Sequence, residues 1–304
     1  MNFVAQDPGV GGWRLLIDQA EWLEAAGIDR LTVSDHVVFG ENLEAYGDPS
    51  IGGTAGGKQP TGPDGHWLEP LVVLSMWAAR TERIRFMTGI LIAPLRRPAT
   101  LAKTTATLDV LSEGRLDLGV GVGWQREEYE ANGLPFEGRG ARLDETLEIC
   151  QKLWQPSPAA HRSEEYAFEK IHQSPKPLQR GGVPLWISGT LNGNVLRRIA
   201  RFGSGWIPWG PDARDPVAGL ERIREALESA GRDATGFQAT SQLPLVRGTG
   251  EQIDLDATME GALRLVEGGV TDLRIQLPLP ADRAAVEDQF GPIVQAFRAA
   301  VGRS

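Results

Sequence analysis

Apolar and polar positions along the chain alternate between two periods. Short β-branched runs read as strands at Asn2–Ala5, Leu31–Ser34, Ile84–Ile92, Leu116–Val122, Pro184–Ser188, Gly205–Trp209, Gln238–Val246 and Leu273–Leu277. Each is followed by a stretch with helical spacing: Trp13–Ala26, Pro70–Ala79, Ala99–Leu111, Ala141–Trp154, Val195–Phe202, Pro216–Ala230, Ala257–Glu267 and Arg283–Val301. Eight strand–helix pairs predict an α/β fold, a closed (β/α)8 barrel of the TIM type forming a single domain over residues 1–304. A doubly wound sheet is the alternative. The segment Asp7-Pro8-Gly9-Val10-Gly11-Gly12 after the first strand lacks the glycine spacing of a dinucleotide fingerprint, which places the barrel ahead.

Two segments interrupt this rhythm, Phe39–His66, rich in glycine and proline, and Gln155–Gly182, with Pro156, Pro158, Pro175 and Pro177. The first leaves a strand, so it starts at the catalytic face of a barrel and reads as a lid. The second leaves a helix and starts at the opposite face, from which it could cross the barrel wall.

Composition narrows the function. The 41% hydrophobic content is enough for a substantial core, and the net charge of -9 lacks the basic surface that nucleic-acid binding needs. The single cysteine, Cys150, excludes an intramolecular disulfide and multi-cysteine metal sites; on the stripe Leu143, Leu147, Cys150, Trp154 it is expected to fill core. Met1–Pro8 has no leader pattern and no stretch reaches the roughly 20 apolar residues of a membrane span, so a cytoplasmic protein without membrane partners is expected. His36, His66, His161 and His172 offer no metal-binding pair at helical or alternate spacing, and no Gly-x-Ser-x-Gly elbow is present. Zinc hydrolysis and serine hydrolysis are therefore set aside.

Two strand ends carry the candidate chemistry. In Arg115-Leu116-Asp117-Leu118-Gly119-Val120-Gly121-Val122-Gly123-Trp124 the aliphatic residues are expected to face the helices and the glycines the lumen. Two readings stand: a flat ligand enters the space, or side chains of neighbouring strands fill it. In Thr32-Val33-Ser34-Asp35-His36 the same alternation points Thr32, Ser34 and His36 inward at a strand end. An imidazole can trade protons with a substrate hydroxyl, so His36 is the acid/base candidate, beside the structural role that a lone histidine often has.

Taken together, Ser34-Asp35-His36, Met87-Thr88-Gly89-Ile90-Leu91, Pro94-Leu95-Arg96-Arg97-Pro98, Leu111-Ser112-Glu113-Gly114-Arg115 and the Gly119–Tyr129 string resemble the luciferase-like monooxygenase superfamily in order and spacing. The likeness continues through Arg139–Glu145, Pro175-Lys176-Pro177, Pro184–Gly189 and Gly203–Trp206. Within the superfamily the sequence is most similar to the branch of oxidoreductases that use the deazaflavin coenzyme F-420; related branches use reduced FMN and oxygen.

The resemblance implies an isoalloxazine-type ring across the barrel mouth and a non-prolyl cis peptide, here Gly89–Ile90. Position by position it implies catalytic roles for His36 and Asp35. It implies cofactor contacts from Ser34, Thr88, Gly89, Ile90, Gly121, Val122, Gly123, Gly189 and Thr190, with Asn192-Gly193-Asn194 aiming backbone N–H groups at the cofactor phosphate. Trp124 replaces the glutamate of the sugar-phosphate dehydrogenases, which puts sugar-phosphate chemistry in doubt; Trp124 and Trp209 are the substrate-binding candidates. The implied reaction is hydride transfer between the deazaflavin and a small organic substrate. The alternatives are a reduced-FMN monooxygenase, fed by a separate reductase, and a non-catalytic flavin-binding relative. A homodimer packed through barrel helices is implied as well.

Overall fold

The computed structural model describes residues 12–250 and 252–302 together with the backbone of 2–3. The chain begins with β1 (Asn2–Phe3), α1 (Gly12–Ala25), β2 (Arg30–Val33), α2 (Pro70–Ala78), β3 (Arg85–Thr88), β4 (Leu91–Ile92), α3 (Pro98–Leu111) and β5 (Leu116–Gly121). It continues with α4 (Arg126–Ala131), α5 (Arg139–Trp154), β6 (Ala159–Arg162), β7 (Ala167–Ile171), β8 (Leu185–Gly189) and α6 (Gly193–Phe202). The last elements are β9 (Gly205–Pro208), α7 (Pro216–Ser229), β10 (Gln238–Gln242), α8 (Leu255–Glu267), β11 (Asp272–Arg274) and α9 (Arg283–Ala300). Val4 and Ala5, the end of the first expected strand, lie outside the described residues.

Strands β1, β2, β3, β5, β8, β9, β10 and β11 are neighbours in that order and every pair is parallel. The two ends of the order meet through their helices. Helix α9 packs on α1, Gln19 Nε2 donates to the Pro280 carbonyl at 3.0 Å, and Arg298 Nη2 donates to the Gly27 carbonyl at 2.9 Å. The fold is the (β/α)8 barrel that the pattern predicts.

Local chemistry sets the helix starts. Asn192, Asp215, Asp254 and Asp282 each accept from backbone N–H groups of the following first turn, and Pro70, Pro98 and Pro216 occupy first-turn positions where no N–H is needed. The predicted stripe of α5 is buried against α3, with Trp154 Nε1 donating to the Ala102 carbonyl at 3.1 Å and the Cys150 Sγ facing the Pro98 carbonyl. Burial pushes the Cys150 thiol up, so it stays neutral core filler.

Inside the barrel, Leu116, Leu118 and Val120 of β5 pack towards the helices while the intervening residues face the lumen. The lumen floor is charged. Arg85 grips Asp117 with Nε and Nη2 at 2.9 Å each; Arg30 Nη2 lies 3.1 Å from Asp117 and its Nη1 bonds Asp272. Met87, Trp186 and Ile207 form the apolar layer above.

Three expectations change. The strand expected over Ile84–Ile92 is broken into β3 and β4 by a cis peptide at Gly89–Ile90, and β4 resumes pairing with β5 at Leu91 and Val120. A short helix, α4, follows β5 before the helix expected from Ala141. The second insertion forms the antiparallel β6–β7 hairpin, with Gln173 Nε2 donating to the Ala102 carbonyl of α3 at 3.2 Å, and its end reaches the barrel floor, where Gln179 accepts from Arg85 Nη2 at 3.1 Å. Among the described residues no helix is long and apolar enough to cross a membrane.

Candidate active site

The C-terminal ends of β2 to β5 gather around His36. Its Nδ1 lies 3.1 Å from Glu128 Oε2, on α4, and its Nε2 lies 3.2 Å from the Gln59 amide nitrogen. Glu128 is wholly buried, and its other oxygen accepts the Val37 N–H at 2.8 Å. A carboxylate can only accept, so the ring proton sits on Nδ1 and the Nε2 lone pair receives the Gln59 amide. The two contacts thus agree on one tautomer, with Nε2 as the atom available for proton transfer.

Sequence and turn geometry bring Glu128 there. Gly123 turns the chain out of β5 with φ +69°, and the Tyr129 hydroxyl donates back to the Val122 carbonyl, fixing the one-turn helix against the strand end. Aromatic rings enclose the imidazole: Phe39 at 4.2 Å between centroids, Trp67 at 4.6 Å and Trp124 at 5.9 Å. Tyr46 bridges Trp124 and Trp209, and burial holds its phenol above the ordinary range.

The Phe39–His66 loop closes over this group. Gln125, fully buried, pairs with both the N–H and the carbonyl of Gly40 at 3.2 Å, Arg139 Nη2 donates to the Ile51 carbonyl at 2.7 Å, and Trp209 Nε1 donates to the Gly52 carbonyl at 3.1 Å. Trp209, expected on the substrate, therefore spends its polar atom on the loop. Trp124, the other substrate candidate, is buried and its indole N–H has no acceptor among the described residues.

The other expected site residues fall into three places. Ser34 Oγ donates to the Gly89 carbonyl at 3.2 Å, and Thr88 Oγ1 donates to the Gly119 carbonyl at 2.7 Å, so Ser34, Thr88, Gly89 and Ile90 form one hydrogen-bonded ledge below His36. A Cβ on Gly89 would come within 2.2 Å of Thr32 Cγ2. Asp35 points the other way. Its carboxylate accepts Arg96 Nη1 at 2.6 Å, Arg96 Nη2 at 2.9 Å and the Ile92 N–H at 2.8 Å, which ties the end of β2 to β4 rather than reaching the imidazole.

Of the two readings of the glycine strand, the structure supports filling by neighbours. A Cβ on Gly119 would meet the Thr88 carbonyl oxygen at 2.0 Å and Ile207 at 2.7 Å; on Gly121 it would meet Ile90 at 2.9 Å, and on Gly123 Ile92 at 3.1 Å. The glycines make room for the β3–β4 ledge, and a flat ligand would lie above Ile90.

Gly189 (φ +145°) and Thr190 end β8, and Thr190 Oγ1 donates to the Trp209 carbonyl at 3.2 Å. Of the backbone donors expected to face an anion here, that of Asn194 is engaged within the chain: Asn192 Oδ1 accepts from Asn194 and Val195 at 3.0 Å each, and beside it Asp212 accepts from Leu191 at 2.6 Å. The α6 start is a helix capped by its own Asn192 side chain.

Sequence reasoning missed Glu128, Gln59, Trp67 and Tyr46. The string Gln125-Arg126-Glu127-Glu128-Tyr129 contains the only local sign, two adjacent glutamates at the head of an unrecognised helix. An orphaned indole N–H among aromatic walls fits a flat, hydrogen-bond-accepting ring of the flavin or deazaflavin type. Among the described residues no group of three or more His, Cys, Asp or Glu side chains is placed to hold a metal ion.

The sequence profile described as luciferase-like monooxygenase matches residues 1–264. An uncharacterized Mycobacterium tuberculosis protein is 30% identical over 273 residues, covering 87% of this chain and 85% of its own. The F-420-dependent glucose-6-phosphate dehydrogenase of Kineococcus radiotolerans is 29% identical over 236 residues, 76% of this chain and 63% of its own. Monooxygenase RslO1 from Streptomyces bottropensis superposes with a TM-score of 0.78 at 18% identity, covering 99% of this chain and 98% of that one, and shares the fold.

Proposed function

We propose, from the premise that this chain belongs to the luciferase-like monooxygenase family, that it is a deazaflavin-dependent oxidoreductase acting on a small organic substrate. The observation that carries the reading is the buried Glu128–His36 pair, its Nε2 met by the Gln59 amide, inside an aromatic enclosure. When bound, the deazaflavin supplies or accepts a hydride. In the oxidising direction His36 Nε2 takes the hydroxyl proton of the substrate, and in the reducing direction it returns that proton. Glu128 holds the ring and offsets the imidazolium charge. Phe39, Trp67 and the loop over them exclude water.

Ser34, Thr88, Gly89 and Ile90 would support the ring from below, Gly121, Val122 and Gly123 would border it, and Gly189 and Thr190 would receive its phosphate. Trp124 N–H would donate to a ring or substrate oxygen. Asp35 serves this site by holding the strand end through Arg96. A homodimer through barrel helices belongs to the same reading, supported by the exposed Val72 and Met76 on α2.

The test is a titration of the purified protein with FMN and with F-420, each oxidised and reduced, followed by fluorescence. Selective F-420 binding is the expected result. Selective binding of reduced FMN would turn the reading to an oxygen-using monooxygenase, and binding of neither would remove it. His36→Ala is expected to keep cofactor binding and lose turnover by about 10²-fold or more.

A further inference from the structure

Arg274, the last residue of β11, carries a charge that the fold leaves without an answer. Register places it beside Gln242 of β10, on the same strand face as Asp272, whose carboxylate reaches Arg30 inside the barrel. The alternation of a strand therefore turns Arg274 into the lumen, about 6.6 Å nearer the mouth than Asp272. The residue is half-buried.

Its Nε and Nη2 are out of solvent and have no acceptor among the described residues. These two N–H groups form one edge of the guanidinium, the side-on fork that matches two oxygens of a carboxylate or phosphate. The neighbouring charges do not satisfy it. Asp272 is the carboxylate that acts on Arg274, but it is bonded by Arg30, and Arg30 itself repels Arg274. Desolvation pulls the guanidinium below its ordinary value, the mark of a cation held without a full partner. A second orphan shares this interior: Trp186, wholly buried with its ring 4.8 Å from the Arg30 guanidinium, has an indole N–H with no acceptor among the described residues.

We infer that Arg274 is the receptor for an anionic oxygen group of the substrate, a carboxylate or phosphate inserted towards the barrel floor. The substrate is then an organic anion whose apolar part lies among the aromatic rings above and whose charged end pairs with the Nε–Nη2 edge. This deepens the oxidoreductase reading by naming a substrate class, and it rests on that reading only for the word substrate. A long-lived unpaired guanidinium in a lumen is destabilising, and an arriving anion removes the penalty.

The test titrates wild type, Arg274→Gln, Arg274→Met and Arg274→Lys with benzoate, its neutral isostere benzamide, and inorganic phosphate, following tryptophan fluorescence and calorimetric heat. Wild type is expected to bind benzoate at least about tenfold more tightly than benzamide, a preference lost in the Gln and Met variants and kept in part by Lys. Melting temperatures control for folding, and Arg274→Met is expected to melt no lower than wild type without ligand. Equal binding of benzoate and benzamide by wild type, absence of binding by either anion, or a benzoate preference surviving in Arg274→Gln overturns the inference. A parallel titration with FMN and riboflavin separates the sources: if Arg274→Gln weakens FMN but not riboflavin, the anion belongs to the cofactor and the substrate assignment falls. If neither FMN nor F-420 binds while the benzoate preference still follows Arg274, the oxidoreductase reading fails and the anion receptor stands.

Discussion

His36 Nδ1 and Glu128 Oε2 stand 3.1 Å apart, joined from two different strand ends, with the carboxylate sealed from solvent. Replacing Glu128 by glutamine keeps the shape and removes the charge that offsets an imidazolium. Turnover is expected to fall by about 10² to 10⁴, while cofactor affinity changes by less than about threefold. Steady-state rates across pH check this: a purely structural glutamate would lower rate and binding together and leave the profile unmoved.

Asp35 is next to His36 in sequence but belongs to a different device. Asp35→Ala leaves the Arg96 guanidinium half-paired in a mostly buried setting, a loss of about 3 to 5 kcal/mol of stability. Denaturant unfolding reads the effect. A variant that melts like wild type but has lost turnover would instead place Asp35 in the chemistry.

The glycines of β5 differ in what surrounds them, and the variants should rank accordingly. Gly119→Ala forces a methyl against the Thr88 carbonyl oxygen at 2.0 Å, whereas Gly121→Ala meets the movable end of Ile90 at 2.9 Å. Gly119→Ala is expected to destabilise by about 3 kcal/mol or more and Gly121→Ala by about 1 kcal/mol. Chemical denaturation of the pair decides it, and equal midpoints would contradict the packing described.

Glu24 predicts a pH dependence. Burial works to raise its carboxyl, yet N–H groups of Ile84 and Arg83 at 2.8 Å and of Glu82 at 3.1 Å outweigh it and hold the group below the ordinary range. A carboxyl lowered on folding stabilises above its unfolded value, about 4.3, and loses that contribution as pH falls through the folded value. The melting difference between wild type and Glu24→Gln should therefore be full at pH 7 and close as the pH is taken below about 4. A gap that persists in acid would assign Glu24 a role independent of its charge.

The barrel was legible because its signal is repeated eight times, and each strand–helix pair reports its own period independently of the rest. His36 was legible because a strand end is a place that alternation can point. Glu128 was not, since its helix has a single turn and its partner lies 92 positions away, a separation that no local period encodes. The glycine strand left two readings open for a related reason: spacing shows that side chains are missing there, but not that Ile90, Ile92 and Ile207 arrive from neighbouring strands. Asp35 and His36 share a motif, and only the opposite directions of adjacent strand residues separate an anchor from an acid/base candidate.

The Gln59 amide sits on the nitrogen of His36 that a substrate would use. Ligand entry is therefore an exchange, one hydrogen bond released for another formed, rather than the filling of a bare position. The resting protein keeps its most nucleophilic ring atom masked. Electrophilic reagents in solution should modify His36 slowly until the loop lifts, and substrate capture should slow at high concentration to the pace of that lifting.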